Sequence, residues 1–414
     1  MNVEVLDEQS EVDRETAEAE STEDQAPSGR PWRRALLAGL LIWISSRVGL
    51  AGVTAISWIS QGTPHLTVRA VAYKWAMQWD STWFLAIAQQ GYVRDPDESQ
   101  AAFFPLYPAL VRLFAPVFFG KIWVSGLFVA NVALLAALVL LYRLTEHEFG
   151  RAPAGRSIFY LVAFPTGFFL TAAYNEGLFI ALMVAAVYAM RRGHWWWAGV
   201  AGAFAASARS AGILLVLAFG FEYLRQHGRR LRLDVLAIGL MPLGLVAVMI
   251  VDKLSFGNPF AFSDSQSAHW GRHLSWPWTA IVDSASMLGA DDMWRAPFSD
   301  IWAHNVLELG TTLLALVLVG LAFVGPWRVR RDQLVLPLLG LGLILFMVSF
   351  PSSFKADIPS PLVSTSRIGI EVFPAFMMMG RLGRNPWIDR TLLALFLPMQ
   401  GILAAHFLHS GWVA

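Results

Sequence analysis

Apolar residues run along this chain in long stretches, broken by short basic turns and by segments rich in Trp, Pro, Asn and Asp. A helix needs about 20 apolar residues to cross a hydrocarbon core about 30 Å thick. Stretches of that kind fall at roughly 35–60, 122–144, 156–173, 176–190, 194–209, 211–224, 234–252, 305–325, 333–350, 365–381 and 391–408. The pattern predicts about eleven membrane passes. The region 194–224 could be one tilted helix or two short ones, and charge decides. Arg191 and Arg192 precede it, and Arg225, Arg229, Arg230 and Arg232 follow it. Both clusters belong on the cytoplasmic side, so an even number of passes separates them. Two short helices turning near Arg209 and Ser210 are expected.

The same rule places Arg143, Arg151 and Arg156 inside, with Arg328, Arg330 and Arg331, and then Arg381, Arg384 and Arg390. An N-terminus in the cytoplasm and eleven passes put the C-terminus outside. Two external loops are then long, at about 61–119 and 252–305. Loops of that length more often carry function than merely connect helices. Within the first, the i,i+4 pairs Trp83/Ile87 and Phe84/Ala88 predict a short interfacial helix. Phe103 to Phe119 is apolar but holds Pro105, Pro108 and Pro116, so it reads as re-entrant or interfacial rather than spanning.

Composition agrees. The chain is 56% hydrophobic and 15% charged, against roughly 25% charged in soluble domains. Its 18 Trp and 28 Phe suit aromatic belts at the membrane surfaces. The net charge of +1, with arginines dispersed among short turns, excludes a nucleic-acid surface. With no cysteine, disulfides, thiol catalysis and Cys-ligated metals are excluded. Residues 1–34 form a contrasting segment. It is acidic and Ser/Thr-rich, reads as a disordered cytoplasmic tail rather than a signal peptide, and ends in the basic cluster Arg30, Arg33 and Arg34. Residues 35–414 form the membrane domain.

Several positions suggest chemistry. Asp80 sits among Trp79, Trp83 and Phe84 just past the first span. A carboxylate so placed can take a proton from a substrate hydroxyl, or it can cap the helix that follows. Glu176 lies in a very short external turn, as a solvated residue, a cap or a site group. Arg209 and Arg367 lie at depths where an arginine faces a cavity or a partner. Glu371, four residues after Arg367, offers a pair within one helix. In the second loop, Trp270 and Arg272 supply a flat apolar face and a planar fork of donors suited to phosphate, or else an interfacial belt with a snorkelling arginine. His269 and His273 are spaced as a metal pair on a helix would be, without a third ligand or an HExxH motif. No GxGxxG or Walker loop points to a nucleotide.

Six blocks, in order, resemble the PIG-V family of lipid-linked-sugar mannosyltransferases in a bacterial version. They are Trp79-Asp80-Ser81-Thr82-Trp83-Phe84 through Tyr92, Ala102 to Pro108, Phe164-Pro165 through Phe179, Ala208 to Gly212, Phe256 to Phe262 with Trp270-Gly271-Arg272, and Ser366 to Pro374. The chain departs from the family pattern at Ala211, Asn258 and Ile368.

The resemblance implies an all-α polytopic fold of the GT-C glycosyltransferase type. It also implies a mannosyltransferase that uses a polyprenyl-phosphate sugar, with Asp80 as the catalytic carboxylate. Trp79, Glu176, Arg209, Trp270, Arg272 and Arg367 are then the candidate substrate-binding residues. An inverting displacement needs neither a tightly bound cofactor nor a metal. The expected partners are the lipid-linked donor, an acceptor and membrane lipids. The high ratio of Arg to Lys and the abundant Ala favour a high-GC bacterium, hence its plasma membrane. A GT-C transferase moving arabinose or another sugar is the nearest rival. A transporter or flippase is the rival from another class, although no internal repeat of the transporter kind is visible.

Overall fold

A computed structural model describes residues 31–60, 67–94, 99–289, 300–352 and 360–413, and these are helical without strands. The α-helices run α1 Pro31–Ser60, α2 Val68–Ala76, α3 Asp80–Gln90, α4 Leu106–Phe114, α5 Ile122–Phe149 and α6 Arg151–Ala163. Next come α7 Glu176–Arg191, α8 Trp195–Ala208, α9 Leu215–His227, α10 Leu240–Phe256, α11 Ala261–Trp270 and α12 Pro277–Leu288. The last are α13 Asp300–Leu321, α14 Val335–Val348, α15 Thr365–Ile368, α16 Phe373–Leu382 and α17 Pro386–Leu408.

The core lies around α5 and α7. Leu134, Leu138 and Leu141 of α5 and Phe179, Met183 and Val187 of α7 are almost fully buried. On α1, by contrast, Leu37, Leu41, Val48, Ile56 and Ile59 are exposed. An apolar helix exposed in this way is solvated by lipid, not water. Small residues let neighbouring helices touch. A Cβ on Gly244 of α10 would lie 1.8 Å from the carbonyl oxygen of Ala203 on α8, so these backbones meet at a distance only glycine permits.

Among the described residues, five segments are long and apolar enough to cross a membrane: α1, α5, Leu233–Phe256, Trp302–Leu321 and α17. This is a multi-pass membrane protein. The other six expected passes are short or broken. The stretch 194–224 does form two helices, α8 and α9, turning at Arg209, whose backbone is extended. The expected span 156–173 stops early, because α6 ends at Ala163. Phe164 precedes Pro165 and adopts an extended conformation, as steric conflict with the proline ring requires. The expected span 365–381 is likewise divided into α15, a 3₁₀ turn at Gly369–Glu371, and α16 with a proline in its first turn.

The described residues of 61–119 form a packed helical unit. Its helices α2, α3 and α4 bury Trp75, Phe84 and Tyr107. The helix expected around Trp83 is α3, and the proline-rich piece forms α4 and a 3₁₀ turn, Ala115–Phe118. In 252–305, α10 continues to Phe256, followed by α11 and α12. The acidic tail falls on residues 1–30, outside the described residues. Residues 31–34 already belong to α1, which opens on Pro31, a residue preorganised for a first helical turn.

Candidate functional site

The carboxylate of Asp80 enters the site through a strained turn. Trp79 has φ of +52°, a conformation rare for a bulky residue and held only where surroundings enforce it. Ser81 Oγ accepts from the Gln78 N–H and donates to the Gln78 carbonyl. Tyr174 Oη donates to that same carbonyl, 3.1 Å away. The Trp79 indole N–H donates to the Gly411 carbonyl at 3.1 Å. Asp80 is the first residue inside α3 rather than its cap, and its Oδ2 lies 2.7 Å from Nη1 of Arg367.

Arg367 is nearly buried and stands over the rings of Phe169 and Tyr174, 5.5 and 5.4 Å from their centroids. Its Nε is 3.5 Å from Glu176 Oε1. Arg209 approaches the same oxygen, with Nη2 at 2.7 Å. Its Nη1 lies 2.5 Å from Glu371 Oε1, and its Nε and Nη2 donate to Asn175 Oδ1 at 3.1 and 2.9 Å. The fully buried Glu176 thus bridges two guanidinium groups. The i,i+4 pair expected between Arg367 and Glu371 does not form. The 3₁₀ turn at Gly369–Glu371 interrupts the helix between them, so Glu371 pairs with Arg209 and Arg367 with Asp80.

Arg272 is different. Its guanidinium donates only weakly, to the carbonyls of Phe350 at 3.3 Å and Val363 at 3.4 Å. Among the described residues it forms no ion pair within 4 Å. Burial, then the nearby charges of Arg367 and Arg209, push its pKa down to about 10. It is still a cation at neutral pH, because burial and the two neighbouring guanidinium groups lower its pKa without bringing it near neutrality. Trp270 packs edge-on against Phe103, with ring centroids 6.0 Å apart, and its carbonyl accepts from Ser352 Oγ at 2.5 Å.

These residues border one cavity of about 1330 Å³. Each of the six sequence blocks contributes to its wall, through Asp80, Phe103, Asn175, Arg209, Arg272 and Arg367. Trp79 and Trp270 also line it, while Glu176 lies just behind the wall. Every candidate residue named from sequence is therefore in or against one space. His269 and His273 do not share a helix, because α11 ends at Trp270, and among the described residues no group of three metal-type ligands occurs. Sequence reasoning missed Asn175 as a partner of Arg209, Trp412 on the cavity wall, and Glu308, a buried carboxylate on α13. Glu308 had a legible signal, since an ionisable residue inside an apolar span is a functional candidate.

The helical membrane architecture and this cavity, lined by paired acids and arginines, define a polytopic membrane protein with a charged site among its helices. Residues 64–247 match the family model described as mannosyltransferase (PIG-V). The chain is 32% identical over 196 residues to GPI alpha-1,6-mannosyltransferase 2 of Cricetulus griseus, covering 44% of this chain and 38% of that protein. It is also 32% identical over 150 residues to GPI mannosyltransferase 2 of Cryptococcus neoformans, covering 33% and 34%. The matched region thus spans little more than a third of these relatives. Among solved structures, ArnT from Cupriavidus metallidurans bound to undecaprenyl phosphate aligns with a TM-score of 0.45 and 15% identity, over 78% of this chain and 61% of that one. The Archaeoglobus fulgidus oligosaccharyltransferase AglB, in complex with an inhibitory peptide and a dolichol-phosphate, aligns at 0.45 and 12%, over 91% and 56%.

Proposed function

We propose that this protein is an inverting mannosyltransferase of the GT-C type. It moves mannose from a polyprenyl-phosphate donor to a lipid, glycan or protein acceptor at the outer face of the membrane. The observation that carries the reading is the arrangement of charge in the cavity. Arg209 and Arg367 are neutralised by carboxylates, while Arg272 has no such partner among the described residues and faces the space beside them. A cation so placed suits the phosphate of a lipid-linked sugar, and its planar fork matches two phosphate oxygens. The family match over residues 64–247 supports mannose as the sugar.

In the proposed reaction the acceptor oxygen attacks the anomeric carbon as the bond from that carbon to the phosphate oxygen breaks. The bonding electrons leave with the phosphate, and the acceptor proton passes to Asp80. Arg367 holds Oδ2 of Asp80 and so orients Oδ1 toward the acceptor. Arg272 stabilises the charge that grows on the departing phosphate. One displacement inverts the configuration, with no covalent enzyme intermediate. The test is incubation of membranes containing the protein with radiolabelled polyprenyl-phosphate mannose. Label should pass into a lipid-, glycan- or protein-linked product, and absence of transfer with that donor, alongside transfer from another lipid-linked sugar, would overturn the choice of mannose.

A further inference from the structure

Arg367 stands on α15, a helix of four residues, Thr365–Ile368. One turn of helix is not stable alone, because fixing its dihedrals costs more than its single hydrogen bond returns. Nor does it cap itself. Ser364, at its N-cap, has φ of +66° and makes no side-chain capping bond. Two of its N-terminal donors are met from a different helix, and the Thr365 N–H donates to the Leu362 carbonyl at 2.9 Å. Oε1 of Glu308, on α13, accepts from the Ser364 N–H at 3.1 Å, and Oε2 accepts from the Ser366 N–H at 2.5 Å. Oε2 also accepts from Thr365 Oγ1 at 2.8 Å, and Thr312 Oγ1, one turn along α13, donates to Thr365 Oγ1 at 3.0 Å. From the other side, Thr166 Oγ1 donates to the Ser366 carbonyl at 2.7 Å.

Glu308 is fully buried, and a carboxylate in such a position is retained only if its oxygens are satisfied. Among the described residues, the hydrogen-bond partners of its carboxylate lie in three consecutive residues, Ser364 to Ser366, which immediately precede the arginine that grips Asp80. We propose that Glu308 is a positioning residue for the transfer reaction: it caps α15 from outside and thereby sets where the Arg367 guanidinium meets the Asp80 carboxylate. This rests on the reading of Asp80 as the base, and the mechanical part of it is testable without that reading.

Glu308→Gln keeps size but turns one acceptor oxygen into an amino group that faces an N–H, so the cap is broken on one side. In this naturally cysteine-free chain, Ile368→Cys on the cavity wall reports the mobility of α15 through its rate of modification by a methanethiosulfonate reagent. Adding Glu308→Gln should raise that rate about 10- to 100-fold, the range spanned by one charge-assisted hydrogen bond. Ser267→Cys, on the same cavity but on α11, should be unaffected. An unchanged rate at position 368, or an equal rise at both positions, overturns the proposal. If Glu308→Gln is not recovered folded, Thr365→Val removes one of the same contacts and should raise the rate at 368 in the same direction; no change there would overturn it.

The catalytic arm is a double-mutant cycle on sugar transfer with Glu308→Gln and Arg367→Lys. If Glu308 acts through Arg367, the double variant should be little worse than the worse single one. Losses that simply multiply would refute that route of action. Should the wild-type protein transfer no sugar, the functional reading fails while the labelling result still decides whether Glu308 holds α15.

Discussion

Nη1 of Arg367 lies 2.7 Å from Oδ2 of Asp80, joining the start of α3 to a one-turn helix near the other end of the chain. The contact leaves the aspartate side chain partly open to the cavity, at 30% exposure. Arg367 is also tied to Glu176, which is tied in turn to Arg209 and so to Glu371. Four segments distant in sequence, at Asp80, Glu176, Arg209 and Arg367 to Glu371, are thus fastened by charge around one space.

Asp80→Asn tests the residue as the proposed base, since Asn keeps the shape of the side chain at the start of α3. As the proposed base, Asp80 loses its proton acceptor, and turnover should fall about 10²- to 10⁴-fold with folding and donor binding retained. Purified wild-type and variant proteins compared for turnover, thermal unfolding and donor binding make the measurement. A folded variant retaining more than about a tenth of wild-type turnover removes Asp80 from that role.

Arg272→Lys keeps the charge and loses the fork. Donor affinity should weaken, with an unchanged unfolding temperature. Arg272→Ala should weaken it further, because it removes the cation as well. Titration with polyprenyl phosphate, followed by intrinsic tryptophan fluorescence, reads both. Normal donor affinity in Arg272→Ala would move the phosphate to Arg209 or Arg367.

A second charge cluster supplies a stability prediction. Arg191 holds Glu148 through two bonds of 2.6 and 2.9 Å, reaches Glu222 at 3.0 Å and lies 3.4 Å from Asp332. The side chains of Glu148 and Glu222 are fully buried. Among the described residues, Arg191→Ala leaves the buried Glu148 with His147 alone and Glu222 with Arg225 and Gln226, so it should destabilise the fold by about 3–5 kcal/mol. Arg330, paired with Asp332 at the surface, should tolerate Ala with little change. Thermal unfolding in detergent distinguishes them, and equal effects would contradict the assigned importance of burial.

Membrane orientation follows from the basic clusters. Single cysteines replacing Arg192 and Trp270 should lie on opposite sides, the first cytoplasmic and the second outside. An impermeant thiol reagent applied to intact cells should therefore label position 270 and spare 192. The reverse pattern would invert the proposed topology.

Much of the site was legible because its residues are costly where they stand. An arginine between two short apolar helices, or an aspartate among tryptophans, needs a reason, and Arg209, Arg367 and Asp80 were found that way. Their partners were not legible. The rule that pairs Arg367 with Glu371 assumes a continuous helix, and the break at Gly369–Glu371 removes that premise. The early end of α6 was readable in principle from Pro165, but an apolar run conceals a change from helix to turn. Arg272 was identified by residue type and by its place beside Trp270 in the long second loop. Its lack of a carboxylate partner among the described residues depends on where Phe350 and Val363 place their carbonyls, which no local pattern encodes.

The two charge clusters are mounted on the ends of one rod. Helix α7 begins at Glu176 and ends at Arg191, and at 1.5 Å per residue these positions are about 22 Å apart along its axis. The hydrocarbon layer is about 30 Å thick. With Arg191 level with the inner headgroups, an upright α7 leaves Glu176 roughly 8 Å short of the outer ones. The proposed transfer would then occur in a well below the membrane surface. A lipid phosphate would be drawn down from its headgroup layer to reach Arg272, and the acceptor hydroxyl would have to descend as well. That depth favours acceptors anchored in the bilayer, or slender enough to reach into it, over the surface of a folded protein.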